Sequence, residues 1–563
     1  MKKRLYILAA AVISCTACSL DENLTSYSTG ETYYTDEREI ITGLNGCYLP
    51  MRQIFGSADF FLYSEASTDV MYLNNSSYYT AVCDYSPTKA SIVSTVWQRG
   101  YMGVMYANAV IAGIGRAVER GYITEQASRK YLAEASILRA MFYYVLTSTY
   151  GDVPFYTEEV TEHNRARIAS LPRMSASETR KYLIAELMEY LMPSNHPTHR
   201  GSGALDFVRT YNSDTEYRVG AAVGLMLAGK LAMWEKQWDD AIAAFGVIED
   251  IYGNGAGVDP AGALARYPLS DIPFSRKYTA ESIWELAYSY KPYGLQVPGV
   301  IATYCTPTRR SSTVSNDDEE EEYVVSDVYN GIGIPELGNT ARLAVPVRPT
   351  GYYYQRLMYY NSGDLRRAAY DSAGNEIASS GNMAWQWLGY DPVADPQYTG
   401  NRRLMYFAST VSSSGRPWLG NKFWCYGMVY TRDDNNPKIF RYAGALLCLA
   451  EAYAEKGDFG KACEYLNATR LRAGLQPFTA GTFAGREALL EEIVEENARE
   501  LFGEFQRRFE LVRWGIWYER TLEYSDSPIL KSNIRPYKQY LPIPADQITY
   551  SGGALDNDAY VEN

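Results

Sequence analysis

The 563-residue chain has a formal net charge of −13 and a pI near 5.0, which excludes a nucleic-acid partner because nothing would offset phosphate repulsion. Its length allows two or more domains, although length is only a soft prior. The 3 histidines leave little for imidazole or metal chemistry, whereas 51 tyrosines and 10 tryptophans exceed what an all-helical core needs, so many rings must lie in loops or on faces.

Lys2, Lys3 and Arg4 precede a short apolar run, Leu5 to Ser14. That run falls well below the roughly 20 residues of a membrane span and reads as a signal peptide. It closes on cysteine, in the manner of a bacterial lipobox. Two registers are open, Val12-Ile13-Ser14-Cys15 and Cys15-Thr16-Ala17-Cys18. By local pattern alone the first is the better lipobox. Cys18 is preferred because Ser19, Leu20, Asp21 and Glu22 follow it, which resembles the acidic export signal of Bacteroidetes surface lipoproteins. The expected organisation is a signal peptide over 1–17, a lipidated tether over 18–35 and one body over 36–563, lipid-anchored to a membrane.

Asp36 is placed to cap a helix carrying Ile40, Ile41, Leu44 and Tyr48. Amphipathic helices are expected over Ser91 to Glu119, Thr124 to Tyr150, Ser175 to Leu191 and Thr215 to Glu249. Trp97 lies on the apolar face of the first of these. Gly151-Asp152-Val153-Pro154 reads as a helix stop, not a phosphate loop, and His196-Pro197-Thr198-His199 as a polar loop, since Pro197 breaks any helix that would align two ligands. From about 252 to 438 helical periodicity fades and Gly, Pro, Ser and Tyr rise. GYYYQRLMYY (Gly351 to Tyr360) and MAWQWLGY (Met383 to Tyr390) are aromatic clusters without an apolar stripe. The acidic run Asp317 to Glu322 reads most simply as a solvated loop; a calcium site is the alternative, without the Gly-turn or spaced ligands that such sites carry. Helices return over Phe440 to Arg472 and Arg486 to Trp514. In the last, Glu500, Glu504, Arg507, Arg508 and Arg513 stand at spacings that permit pairs within one helix. So many arginines would hold those acids ionised, which suits a buttress better than a general acid. Cys448 and Cys463 lie in apolar patterns and read as small core residues.

An internal repeat spans the two helical halves. Leu225 aligns with Leu446, Trp238 with Phe459, Ala241 with Ala462 and Phe245 with Leu466, without a gap. Helix, tight aromatic turn, helix is the grammar of a tetratricopeptide hairpin. The expected fold is therefore dominated by α-helix: a tetratricopeptide-like superhelix of hairpins over about 36–251 and 439–515, interrupted by a loop-rich, aromatic-rich insertion with a few short strands. The two repeat units are expected to pack through shared neighbours.

Several blocks together resemble the SusD/RagB family of outer-membrane nutrient-binding lipoproteins. They are Tyr131 to Pro154, Tyr217 to Glu249, Glu281-Ser282-Ile283-Trp284-Glu285, Arg441 to Gly474, Glu495 to Trp514 and Gln539 to Pro544. They occur in the family's order across nearly the whole mature chain. Phe505 stands where the family usually has Gly, and Glu510 where it has Asp. The resemblance implies a surface lipoprotein that captures glycans without chemistry and hands them to a SusC-like TonB-dependent transporter, with no catalytic residue, cofactor or metal. Rivals are the same lid role for peptides or another polymer, a protein-only tetratricopeptide scaffold, and a glycosidase, which needs two opposed carboxylates. Trp97, Trp238 and Trp514 are expected to be buried. The ligand site is expected on loops, from Tyr72, Asn74, Asn75, Tyr78, Tyr79, Tyr290, Tyr293, Tyr304, Arg309, Trp385, Gln386 and Trp387. Trp385 and Trp387 share one side of an extended segment.

Overall fold

The computed structural model describes residues 33–73, 82, 85, 92–198, 217–253, 262–289, 299, 301–305, 347–359, 363–367, 379–384, 387–390, 402–405, 418–423, 425 and 433–560, with backbone alone at 359, 384, 387–390, 402–405 and 418. Asp36 caps α1 (Glu37–Phe55), its carboxylate accepting from the Glu39 N–H at 2.9 Å. After α2 (Ala58–Ser64) and α3 (Ile92–Glu119) comes α4 (Glu125–Tyr150), capped by Thr124 and ended by Gly151 at φ 74°. Gly151 is the helix stop expected at that position. Ser175 caps α5 (Ala176–Leu191), and α6 (Ala221–Trp234) and α7 (Trp238–Gly253) form the first repeat hairpin. A single turn, α8 (Ile301–Cys305), precedes the second hairpin, α9 (Tyr442–Glu455) and α10 (Phe459–Arg472), and then α11 (Arg486–Glu500), α12 (Arg507–Arg513) and α13 (Trp517–Tyr524).

Helix α1 packs on α3, α3 on α4, α4 on α5, α5 on α6, α6 on α7, α7 on α9 and α9 on α10. Small residues set the approach. A Cβ on Gly103 would lie 2.1 Å from the Phe142 ring, and one on Gly229 would lie 2.5 Å from Phe245. The repeat units do not need shared neighbours, because α7 meets α9 directly. The superhelix is thus interrupted in sequence and continuous in space. Its main core draws buried residues from Tyr34 to Leu555 and includes Trp97, Cys448 and Cys463, while Trp238 is half-buried against it and Trp514 against a smaller cluster.

The strands pair antiparallel in two-stranded sheets: β1 (Met71–Leu73) with β3 (Val347–Pro349), β2 (Ser282–Glu285) with β8 (Lys438–Arg441), β4 (Met383–Ala384) with β7 (Trp418–Leu419), and β5 (Trp387–Tyr390) with β6 (Arg402–Met405). The helix expected over Arg486 to Trp514 is broken between α11 and α12. Gly503 takes φ 78° and Phe505 φ 62°, both left-handed. A left-handed backbone explains why glycine suits position 505. Here Phe505 accepts the strain and packs its ring on Phe55, Phe60 and Phe61 at centroid distances of 5.3, 6.2 and 5.5 Å.

Leu446 is fully buried in the shared core. Leu446→Ala should lower unfolding stability by about 2–5 kcal/mol. Both forms should unfold in one calorimetric transition; two well-separated transitions in the wild type would contradict a single cooperative body.

Candidate functional site

Three segments of the insertion return to the helical body at defined roots. At the first, β1 pairs with β3 so that Tyr72 and Arg348 are direct cross-strand partners, and the guanidinium hydrogen-bonds the phenol. Burial raises the Tyr72 phenol and Arg348 partly offsets that rise. The chain then turns at Thr350, whose N–H donates to the Val70 carbonyl at 2.9 Å and whose hydroxyl donates to the Asp69 carbonyl at 2.6 Å. A wide helical turn of π type follows, Tyr352–Tyr359. Tyr352 stacks on Tyr524 at 4.0 Å, with Arg356 and Arg520 at 5.6 and 5.3 Å from its centroid. Arg520 hydrogen-bonds the Tyr352 hydroxyl and pairs with Asp69 at 3.1 Å and Glu491 at 2.5 Å.

At the second root, buried Asp433 accepts from the N–H groups of Ala302 at 2.9 Å and Asn435 at 3.2 Å, holding α8 beside the Gly299–Asp433 bridge. Burial pushes its carboxyl up to about 7 against those bonds. At the third, the Lys422 N–H donates to the Gly381 carbonyl at 3.1 Å, and the Asn382 amide reaches the Arg499 carbonyl at 2.7 Å.

Ion pairs buried between elements tie these roots down. Arg366 binds Asp364 at 2.7 Å and Glu496 at 2.6 Å; Arg441 binds Glu281 at 2.7 Å, Glu504 at 2.8 Å and Glu500 at 3.1 Å; Lys422 binds Glu504 at 2.8 Å. Lys230 and Arg513 each reach Glu510 at 2.6 Å. The expected buttress is present, but most of its pairs cross between elements instead of running along one helix. Arg507 pairs with Asp69, and Arg508 donates to the Tyr85 hydroxyl and the carbonyls of Lys538 and Gln539. Burial alone would raise the Glu500 carboxyl, yet Arg472, Arg441 and Arg366 hold it well below the usual range; Arg513 and Lys230 hold Glu510 at about 2 in the same way. Buried, ionised and paired, these carboxylates have no proton to give and no route to a substrate.

Of the residues expected to bind ligand, Tyr72 is half-buried at the first root. Tyr304 is 7 % exposed within the main core, so it presents no platform: α8 packs against α2 and β3 and carries the ring inward. Trp387 lies in β5 opposite Met405, with its side chain outside the described residues. Asn74, Asn75, Tyr78, Tyr79, Tyr290, Tyr293, Arg309, Trp385 and Gln386 also lie outside them, as do Cys15, Cys18 and the acidic run 317–322. Sequence reasoning passed over the Tyr352–Arg356 turn as a site. Its signal was an aromatic run with no apolar stripe to employ the rings. Among the described residues no group of three His, Cys, Asp or Glu side chains could hold a metal ion.

The sequence profile of the SusD family matches residues 350–560, and the profile described as starch-binding, associating with outer membrane, matches residues 21–186. The chain belongs to the SusD/RagB family. It is 24% identical to SusD-like protein P25 of Formosa agariphila over 99% of this chain and 98% of that one. Surface glycan-binding protein A from Bacteroides thetaiotaomicron superposes with a TM-score of 0.66 at 20% identity, covering 94% of this chain and 100% of that one. The structure of that protein in complex with laminarihexaose gives a TM-score of 0.64 at 18% identity, covering 93% and 100%. The helix-dominated, tetratricopeptide-like architecture is the SusD fold.

The ion pairs give this SusD-type body a defined pH response. Glutamates held below 4.5 stabilise it above that value, and the stability is lost as pH falls through their folded values. Burial raises Glu65 to about 8 and Asp433 to about 7, so their contribution is fully present only below the ordinary carboxylate range and is lost progressively as pH rises from there to 7 and 8. The thermal midpoint should therefore peak at about pH 4–5, where the paired glutamates are ionised and Glu65 and Asp433 have not begun to cost stability, and should fall as pH rises towards 8. Arg441→Met should cost about 3–5 kcal/mol in chemical denaturation, since it takes away the cation that Glu281, Glu500 and Glu504 all share while all three stay buried.

Proposed function

We propose that this chain is a cell-surface nutrient-binding lipoprotein that captures glycan non-covalently and delivers it to a SusC-like TonB-dependent transporter in the outer membrane. The observation that carries this reading is the end-to-end likeness of its fold to a surface glycan-binding protein whose structure includes laminarihexaose. The leader supports the location: a basic start, a short apolar run and Cys18 followed by acids fit a lipid anchor on the outer face. No helix among the described residues is long and apolar enough to cross a membrane. The role is binding and not catalysis, which the sequestration of the buried carboxylates supports. Residues 36–563 act as one body. Ligand contacts come from the loops beyond the roots, through Asn74, Tyr78, Tyr79, Tyr290, Tyr293, Arg309, Trp385, Gln386 and Trp387, beside Tyr72.

Intact-mass analysis should show acylation at Cys18, and protease added to whole cells should remove the protein. Calorimetry should show oligosaccharide binding that weakens in Trp385→Ala and Trp387→Ala. An unacylated secreted form defeats the location, and undiminished binding in both variants defeats the loop assignment. Retention of peptides in place of glycans would move the role to another polymer.

A further inference from the structure

Tyr354, in the Tyr352–Tyr359 turn, is half-buried with part of its side chain against the main core, and Gln355 and Arg356 beside it are exposed. The Gln355 amide donates to the Tyr354 hydroxyl at 2.9 Å, and Tyr72 stands on β1, paired with the strand β3 that leads into the turn. Behind this surface the support is rigid. Asp69 holds Arg520, Arg520 holds the Tyr352 hydroxyl, and Tyr352 stacks on Tyr524, to whose hydroxyl Arg356 donates at 3.5 Å. On the opposite flank the Gly351 N–H is fixed by Asp526 at 2.6 Å. The turn is therefore set before any ligand arrives, which lowers the ordering cost of binding.

We propose that Tyr354, with Gln355, Arg356 and Tyr72 around it, is a subsite that takes one pyranose ring of an uncharged glycan. The proposal rests on the glycan-binding reading above and adds a place and a chemical class to it. A sugar offers an apolar C–H face to a tyrosine ring and a rim of hydroxyls to an amide and a guanidinium. The charge balance selects the class. Arg356 is paired with Glu495 at 2.9 Å, Arg520 with Asp69 and Glu491, Arg507 with the same Asp69 and Arg348 with the Tyr72 phenol; with exposed Asp526 counted, four guanidiniums stand among four carboxylates. No surplus cation remains among these groups to repay desolvation of a carboxylated or sulfated sugar.

The test is calorimetry of the full mature chain against neutral hexaoses (laminari-, cello-, xylo- and manno-) and against oligogalacturonate and a sulfated oligosaccharide. The wild type should bind a neutral oligomer with little dependence on salt. Tyr354→Ala should weaken that binding about three- to tenfold while still unfolding in one transition above the assay temperature, and Tyr354→Phe should retain it because the ring face remains. Arg356→Gln should weaken it by a smaller factor. Wild-type-like binding by Tyr354→Ala would overturn the subsite. Preference for the acidic oligomers, with affinity falling steeply as salt rises, would overturn the class. A wild type that binds no glycan at all overturns the functional reading itself, a result distinct from both.

Discussion

The structure depends on charge that is buried and paired between distant parts of the chain. Arg441 begins the second repeat hairpin, and its guanidinium is shared by Glu281 at the edge of β2 and by Glu500 and Glu504 at and beyond the end of α11. Arg366 and Lys422 come from the insertion and reach Glu496 and Glu504 of the same C-terminal segment. Removing any one of these cations leaves buried acids with fewer positive partners than the shared network was built on, which costs more than a surface pair would. That sharing ties the described parts of the insertion to the helical body.

A second device sets the spacing of the helices. Rings sit where glycine removes a side chain, as Phe142 does over Gly103 and Phe245 over Gly229. Phe505 reverses the arrangement, keeping a ring at a left-handed backbone position because three phenylalanines surround it. The break at 501–506 is functional for the same network. It lets Glu65 accept from the N–H groups of Gly503, Gln506 and Arg507, and it turns Arg507 towards Asp69, behind the Tyr352 turn. Packing at the core thereby fixes a surface where sugar chemistry is proposed.

Much of the scaffold was legible in the sequence because helices and hairpins are local. Asp36, Thr124 and Ser175 each cap the helix that their position announced, and the aligned Leu225 and Leu446 mark two hairpins of one superhelix. What was not legible is what depends on distance along the chain. The partners of Glu500 and Glu504 lie 28 to 134 residues away, so helical spacing suggested intrahelical pairs instead. Tyr304 looked like a loop ring until α8 turned it into the core. The Tyr352–Arg356 turn was visible only as aromatic density, because its shape comes from Asp69 and Arg520, which are remote in sequence.

The central claim is that the buried ion pairs make the loop roots part of the cooperative body. Native-state hydrogen exchange tests it most directly, at the amides of Asn382 and Lys422, which bond to Arg366 and Gly381 carbonyls, against amides inside α9. The account predicts that the root amides exchange only through the same global opening as α9, with the same dependence on denaturant. Root amides that exchange through a separate, lower-energy opening while α9 stays protected would contradict it.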